Sequence, residues 1–313
     1  MLHMSVSSLK DFMTCRRLYY YKRIKKYEKT TFNLPFVVGR VTHEGLGYLL
    51  SKKPLEESIK LMTAYYKTEV KKAKEQFILD EKQLKDLGEQ EHITKGMLTA
   101  YARKYAKMLK DVKHIGSEVE GAVEISENVT FVIKLDNLMR VRAKKILHEL
   151  KTSKYITPEY VQMVQTDIQT AAYFHIHNFI YEDNKIDEIM YDIIRKPSIR
   201  PKKSESYPAY LERLIAWYDK PGDESVFHIE RFTKPKISFD DLINTISKVS
   251  EDMLRSKTKE DYYQDFDKCA SYYGDVCPMY ALCHEGGETK ENLLMYSVRK
   301  PYHVNKENKE LKG

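Results

Sequence analysis

Residues 118–151 hold three β-type runs with almost nothing between them: EVEGAVEI (118–125), VTFVIKLDNLMRV (129–141) and KILHELK (145–151). Alternating patterning and β-branched residues make each a strand, and such short spacers pair them as a meander. The end of the third run is odd. After the apolar pair Ile146-Leu147 come Glu149 and Lys151, which share one face because strand residues two apart do. The hairpin can bring Asp136, thirteen residues upstream of Glu149, alongside it. Two carboxylates held close repel one another unless a proton or a cation lies between them. A divalent metal answers that, and oxygen ligands suit Mg²⁺ or Mn²⁺. Lys151 beside it would orient or deprotonate an attacking water, or neutralise a phosphoryl oxygen. Alone, an acid-x-Lys pair is also what an ordinary exposed ion pair looks like, with Asp136 a turn residue.

Helical patterns surround the meander. Residues 5–26 read as one helix, capped by Ser7 or Ser8 and carrying Leu9, Phe12, Met13 and Leu18 at helical spacing. A second helix spans about 38–52 and places His43 on an apolar background. Lys- and Glu-rich helices follow at 54–77 and 92–113, separated by a charged stretch, and together resemble a helical insertion. Thr157-Pro158-Glu159 opens a helix running to about Tyr181, with Thr at the cap and Pro in the first turn. On it Gln169 and Tyr173 stand four apart and share a face. A strand at 186–194, the basic connection RKPSIRPKK, a helix near 207–219, a strand near 225–233 and a helix at 238–257 complete the pattern. From 264 onward the chain reads as loop.

The whole is an α+β chain, expected as one domain over 1–313. Within it lie a helical insertion (54–113), a catalytic core (116–235) and a cysteine-rich region (264–290). The 53 Lys and Arg against 46 Asp and Glu give a net charge of +7, a mild bias that suits a polyanionic partner. No apolar run approaches a membrane span and the N-terminus lacks a signal-like segment, so the expected compartment is the cytoplasm. In a reducing compartment, structural disulfides are not expected from the four cysteines. The absence of a G-x4-G-K-S/T motif argues against a nucleotide-driven ATPase.

In chain order, a helix with His43, a strand with Asp136, a strand with Glu149-x-Lys151 and a helix with Gln169-x3-Tyr173 resemble the RecB-like branch of the PD-(D/E)xK nuclease superfamily. The resemblance runs from SVSSLKDFMTCRR to CHEGG and implies a restriction-endonuclease-like core. It assigns His43, Asp136, Glu149 and the intervening Leu150 to the metal, and Lys151 to the nucleophile. Gln169 and Tyr173 support the site and contact DNA. Leu135 stands where the motif's Pro would be. An acid on the preceding strand joins the site in some members, and Glu118 and Glu120 are both candidates here.

Cys269, Cys277 and Cys283 follow a C-x7-C-x5-C spacing, with Cys15 near the N-terminus. Four soft ligands suit zinc or an iron–sulfur cluster. Zinc more often takes tighter C-x2-4-C pairs. Relatives of the AddB, exonuclease V and CRISPR-adaptation types carry one Cys before the nuclease core and three after it. The resemblance therefore implies a 4Fe–4S cluster on Cys15, Cys269, Cys277 and Cys283, with Zn²⁺ as the alternative. The function it implies is a Mg²⁺- or Mn²⁺-dependent DNA exonuclease in DNA processing, recombination or repair, acting on free ends or single strands. The competing reading is a non-catalytic DNA-binding subunit that keeps the fold. Two basic groups are candidate DNA contacts: Arg195, Lys196 and Arg200 with Lys202 and Lys203, and Arg16, Arg17, Lys22 and Arg23.

Overall fold

The computed structural model describes residues 1–30, 34–77, 79–219, 225–270 and 276–299. In chain order the elements are β1 (Leu2–Ser5), α1 (Val6–Thr14), α2 (Arg16–Tyr19), a π-helical turn (Tyr20–Ile24), β2 (Tyr27–Lys29) and α3 (Leu34–Leu50). Next come α4 (Leu55–Gln76), α5 (Glu81–Lys104), α6 (Ala106–Asp111), β3 (Val112–Ser126), β4 (Val129–Val141) and β5 (Lys144–Ser153). The chain continues through α7 (Pro158–Met163), α8 (Ile168–Ile180), β6 (Glu188–Arg195), α9 (Tyr207–Tyr218), β7 (Phe227–Phe232) and α10 (Phe239–Arg255). It ends with α11 (Tyr280–His284), α12 (Lys290–Leu293) and β8 (Tyr296–Val298). These elements form two compact units. One holds residues 1–6 and 32–250, the other residues 7–31 and the chain from Glu251 onward.

The larger unit is built on a six-stranded mixed sheet of order β1-β4-β5-β6-β7, with β3 also on β4. The expected meander is present: β3, β4 and β5 pair antiparallel. β6 then joins β5 in parallel, from Ile146 opposite Glu188 to Ser153 opposite Arg195. A parallel neighbour needs a crossover, and residues 158–180 supply it as helix. Alternation along β6 divides its two faces. Met190 and Ile194 join the main core with Leu150, Val41, Met97, Tyr101 and Leu214, whereas Tyr191 and Ile193 pack with Val164 on the other side. Helices thus flank a central mixed sheet, as the strand and helix patterns require.

Several boundaries differ from the sequence pattern. Leu2–Ser5 is a strand pairing with Val129–Val132 of β4, too short to register as one in a helical context. The helix expected over 5–26 breaks at Cys15, whose φ of −164° and ψ of 120° are extended. The charged stretch before residue 92 is helical from Glu81, because Asp80 and Gln83 form a reciprocal capping box. The helix expected from 157 to 181 is interrupted at Asp167, which leaves the helical region and caps α8 by accepting from the Gln169 N–H.

In the smaller unit β2 and β8 pair antiparallel, and Tyr21, Met279, Leu282 and Tyr296 form a buried cluster. Tyr19 stacks on Tyr262 with ring centroids 6.2 Å apart. Among the described residues no helix is long and apolar enough to cross a membrane.

Candidate active site

Strand pairing between β4 and β5 ends at Asn137–His148. The next residues on either side, Asp136 and Glu149, therefore lie where the ladder opens. The freed Leu150 N–H turns to Asp136 Oδ2 at 3.4 Å. From α3, His43 brings Nδ1 to 3.5 Å from the same Oδ2, and its ring also hydrogen-bonds the Leu150 backbone. His43, Asp136 and the Leu150 backbone thus form one contact set.

Glu149 is fully buried, and Lys151 Nζ donates to its Oε1. Gln169 Nε2 donates to that same Oε1 at 2.6 Å, and the Gln169 and Tyr173 side chains are hydrogen-bonded to each other. Oε2 of Glu149 is buried with no partner among the described residues. An orphaned carboxylate oxygen in a protein interior is costly, and a cation is the natural partner for it.

Burial and then the Asp136 charge push the Glu149 carboxyl up to about 7. Burial likewise raises Asp136. His43 is lowered to about 4, by burial first and then by the Lys151 charge. Burial alone would lower Lys151, but Glu149 and Asp136 outweigh it and hold the ammonium well above its ordinary range. The site is therefore a pair of carboxylates that resist ionising together, with one ammonium in contact with Glu149.

All six residues expected at this site, and Leu150 with them, are gathered here. Glu118 also bears on it. The β3–β4 register runs from Ser117–Asn137 to Val119–Leu135, which sets Glu118 across from Asp136, and its charge raises the Asp136 carboxyl. Its φ of 52° marks an irregularity at that point, and Lys134 pairs with it at 2.8 Å. Glu120 lies opposite Lys134 and is exposed.

The sequence pattern missed a polar network beneath the site. Tyr101 Oη donates to Asp192 Oδ2 at 2.5 Å, and His148 Nε2 lies 3.3 Å from the same oxygen. All three are fully buried. The His and Asp interrupt otherwise apolar strands, which was the available signal.

The basic groups separate. Arg195 ends β6 beside Ser153 of β5, whereas Arg200 pairs with Glu89 at 3.2 Å. Burial lowers Lys196. In the smaller unit Arg16 pairs with Asp252, Arg17 donates to the Tyr262 carbonyl, and Lys22 and Arg23 both reach Asp11.

The four cysteines are free thiols. At the helix break, Cys15 Sγ accepts the Asp265 N–H at 3.4 Å. Cys269 Sγ lies 3.3 Å from His284 Nε2, a neighbour the spacing did not suggest. Cys277 donates its N–H to the Cys269 carbonyl at 2.9 Å. Cys269, Cys277 and Cys283 are raised by burial and further by charge on neighbouring cysteines, Cys15 among them each time, with Cys283 reaching about 11. The thiols sense one another's charge, although among the described residues no three His, Cys, Asp or Glu side chains are drawn into a metal-ligand shell.

No curated protein matches the chain. Among solved structures it is similar to the crystal structure of SSO0001 at 13% identity, over 80% of this chain and 85% of that one. The TM-score of 0.28 is too low to carry fold or function across. The family model of the PD-(D/E)XK nuclease superfamily matches residues 3–284, a span that includes Asp136, Glu149 and Lys151. With that match over nearly its whole length, the chain belongs to the PD-(D/E)XK nuclease superfamily.

Proposed function

We propose that this chain is a Mg²⁺- or Mn²⁺-dependent DNA exonuclease of the RecB-like, cysteine-cluster branch. The observation that carries the reading is Glu149, a fully buried carboxylate with one oxygen unpartnered, beside Asp136 and against Lys151. A retired site has no reason to keep so costly an arrangement.

Asp136, Glu149, His43 and the Leu150 carbonyl would hold the metal. Bound there, the ion supplies Lewis acidity toward a phosphodiester and lowers the pKa of a coordinated water. The chain's own groups do the rest. Gln169, with Lys151, holds Oε1 of Glu149 and leaves Oε2 as the oxygen that would be free for a cation. His43 is kept neutral at working pH, as a ligand nitrogen must be. Lys151 stays charged, so its part is to orient the nucleophile and offset phosphoryl charge rather than to accept a proton. Tyr173 is held protonated by burial and by Glu149, and can donate its hydroxyl proton.

Cys15, Cys269, Cys277 and Cys283 would hold a 4Fe–4S cluster, or Zn²⁺ in its place. Four free thiols, of which Cys269, Cys277 and Cys283 are raised by burial and then by neighbouring cysteines while Cys15 accepts a backbone N–H, fit a site whose thiolates need a cation. Exonuclease is favoured over endonuclease because the iron–sulfur relatives mostly act from strand ends.

The test is incubation with end-labelled single-stranded and duplex DNA, in Mn²⁺ and in EDTA. Stepwise shortening from one end in Mn²⁺, absent in EDTA, is expected. Tight DNA binding without cleavage in any divalent ion would favour the non-catalytic subunit instead.

A further inference from the structure

β5 and β6 end side by side at a cluster that the carboxylate site does not use. Ser153, two residues past Lys151, pairs with Arg195. Its hydroxyl donates to the Tyr155 carbonyl at 2.7 Å and accepts the Tyr155 N–H at 3.3 Å, a local turn that fixes the backbone there. Tyr155 is 50% exposed. Lys154 Nζ lies 5.2 Å and the Arg195 guanidinium 5.9 Å from its centroid. On its other side Arg195 lies 5.5 Å from the Trp217 ring. Arg195 Nε donates to the Lys154 carbonyl at 3.3 Å, and Nη1 to Ser225 Oγ at 3.5 Å. None of these partners is a carboxylate, so among the described residues no carboxylate contact neutralises the charge held there, unlike that of Arg200 on Glu89.

A lone exposed tyrosine needs no explanation. A half-exposed ring flanked by two cations, one of them braced between two aromatics, offers a π-face and positive charge together. Those are the two things an unpaired nucleotide presents partners for: a base to stack and a phosphate to pair. Bases inside a duplex have no free face, which selects a single strand. The position fits as well. Four extended residues from Lys151 to Tyr155 span at most about 13 Å. That is no more than about four nucleotides at the 3.4 Å spacing of a stacked strand.

We infer that Tyr155, with Lys154 and Arg195, is a stacking platform that grips an unpaired base of single-stranded nucleic acid a few nucleotides from the scissile phosphate. Its placement relative to cleavage rests on the nuclease reading; the binding itself does not. The test is fluorescence anisotropy in EDTA with a short labelled oligothymidylate and with a hairpin duplex. Tyr155→Leu should weaken single-strand binding by roughly 5- to 150-fold, the ordinary range for one stacked base. Tyr155→Phe should stay within about twofold of wild type because the ring remains, and both variants should bind the duplex as wild type does. Wild-type single-strand affinity for Tyr155→Leu, or an equal loss on both ligands, would overturn the platform. No cleavage occurs in EDTA. A protein that shows the Tyr155 dependence but cuts nothing in Mn²⁺ therefore supports the platform and sinks the nuclease reading alone.

Discussion

Lys151 donates to Oε1 of Glu149, while Oε2 of the same buried carboxylate has no partner among the described residues. Half of that carboxylate is thus satisfied by the chain and half is left for something else. Most of the chemistry assigned to this protein follows from that asymmetry.

Replacing Lys151 with Ala removes the charged partner of the satisfied half and leaves Oε1 to Gln169 alone. Turnover should fall by at least about a hundredfold, on the scale of removing one group that stabilises developing charge, with DNA affinity within a few-fold of wild type. The metal-free variant should also melt lower, because it leaves a buried carboxylate unpaired. Divalent ions should then raise its melting temperature more than they raise that of wild type. Calorimetric scans with and without Mn²⁺, beside a cleavage assay, check both. Weakened binding at unchanged turnover would move Lys151 out of the site.

Glu149 makes a pH-dependent prediction. Its folded-state pKa is raised from 4.5 to about 7, so its stabilising contribution is complete below pH 4.5 and is lost as pH rises through 7. His43 and His177 are both lowered to about 4 and slope the opposite way as pH falls through 6.5, so total stability hides the effect. The difference between Glu149→Gln and wild type isolates it. In EDTA the two should be close in stability at pH 5, with the variant about 1–3 kcal/mol more stable at pH 8. Urea melts at the two pH values measure this, and a gap that does not widen with pH would refute it.

How much of this was legible follows from what each residue does to the pattern. The meander and the shared Gln169–Tyr173 face follow from strand and helix periods, whereas gathering Asp136, Glu149 and Gln169 into one site took the resemblance as well. The break at Cys15 did not, because no Pro or Gly marks it. Asp192 was hidden because burial of an acid is decided by Tyr101 and His148, distant in sequence. The placement of Glu118 across from Asp136 involves an irregularity in β3 that periodicity cannot locate.

The Tyr101–Asp192–His148 network yields a stability prediction. Tyr101→Phe removes the donor nearest the buried carboxylate at almost constant volume. It should cost about 1–3 kcal/mol, the penalty for leaving a buried acceptor unsatisfied. Chemical denaturation reads the loss directly, and a neutral result would mean that the Tyr101 hydroxyl adds nothing net to the burial of Asp192.

The cysteine site predicts a colour. Protein purified anaerobically should be brown, and Cys15→Ser or Cys277→Ser should bleach it and lower the melting temperature. Glu149 belongs to the other unit, so its Mn²⁺ affinity should survive the change. Colourless protein carrying stoichiometric zinc would keep the ligands and reject the cluster.

The central claim is that Asp136 and the buried Glu149 exist to hold a divalent cation for cleavage. Titration of metal-free protein with Mn²⁺, followed by the paramagnetic resonance of free Mn²⁺, tests it most directly. Wild type should bind one or two ions per chain, about the number that phosphodiester-cleaving sites use. Asp136→Asn and Glu149→Gln should bind at least about tenfold more weakly and cut no DNA. Wild-type Mn²⁺ affinity together with wild-type cleavage in Glu149→Gln would contradict the account.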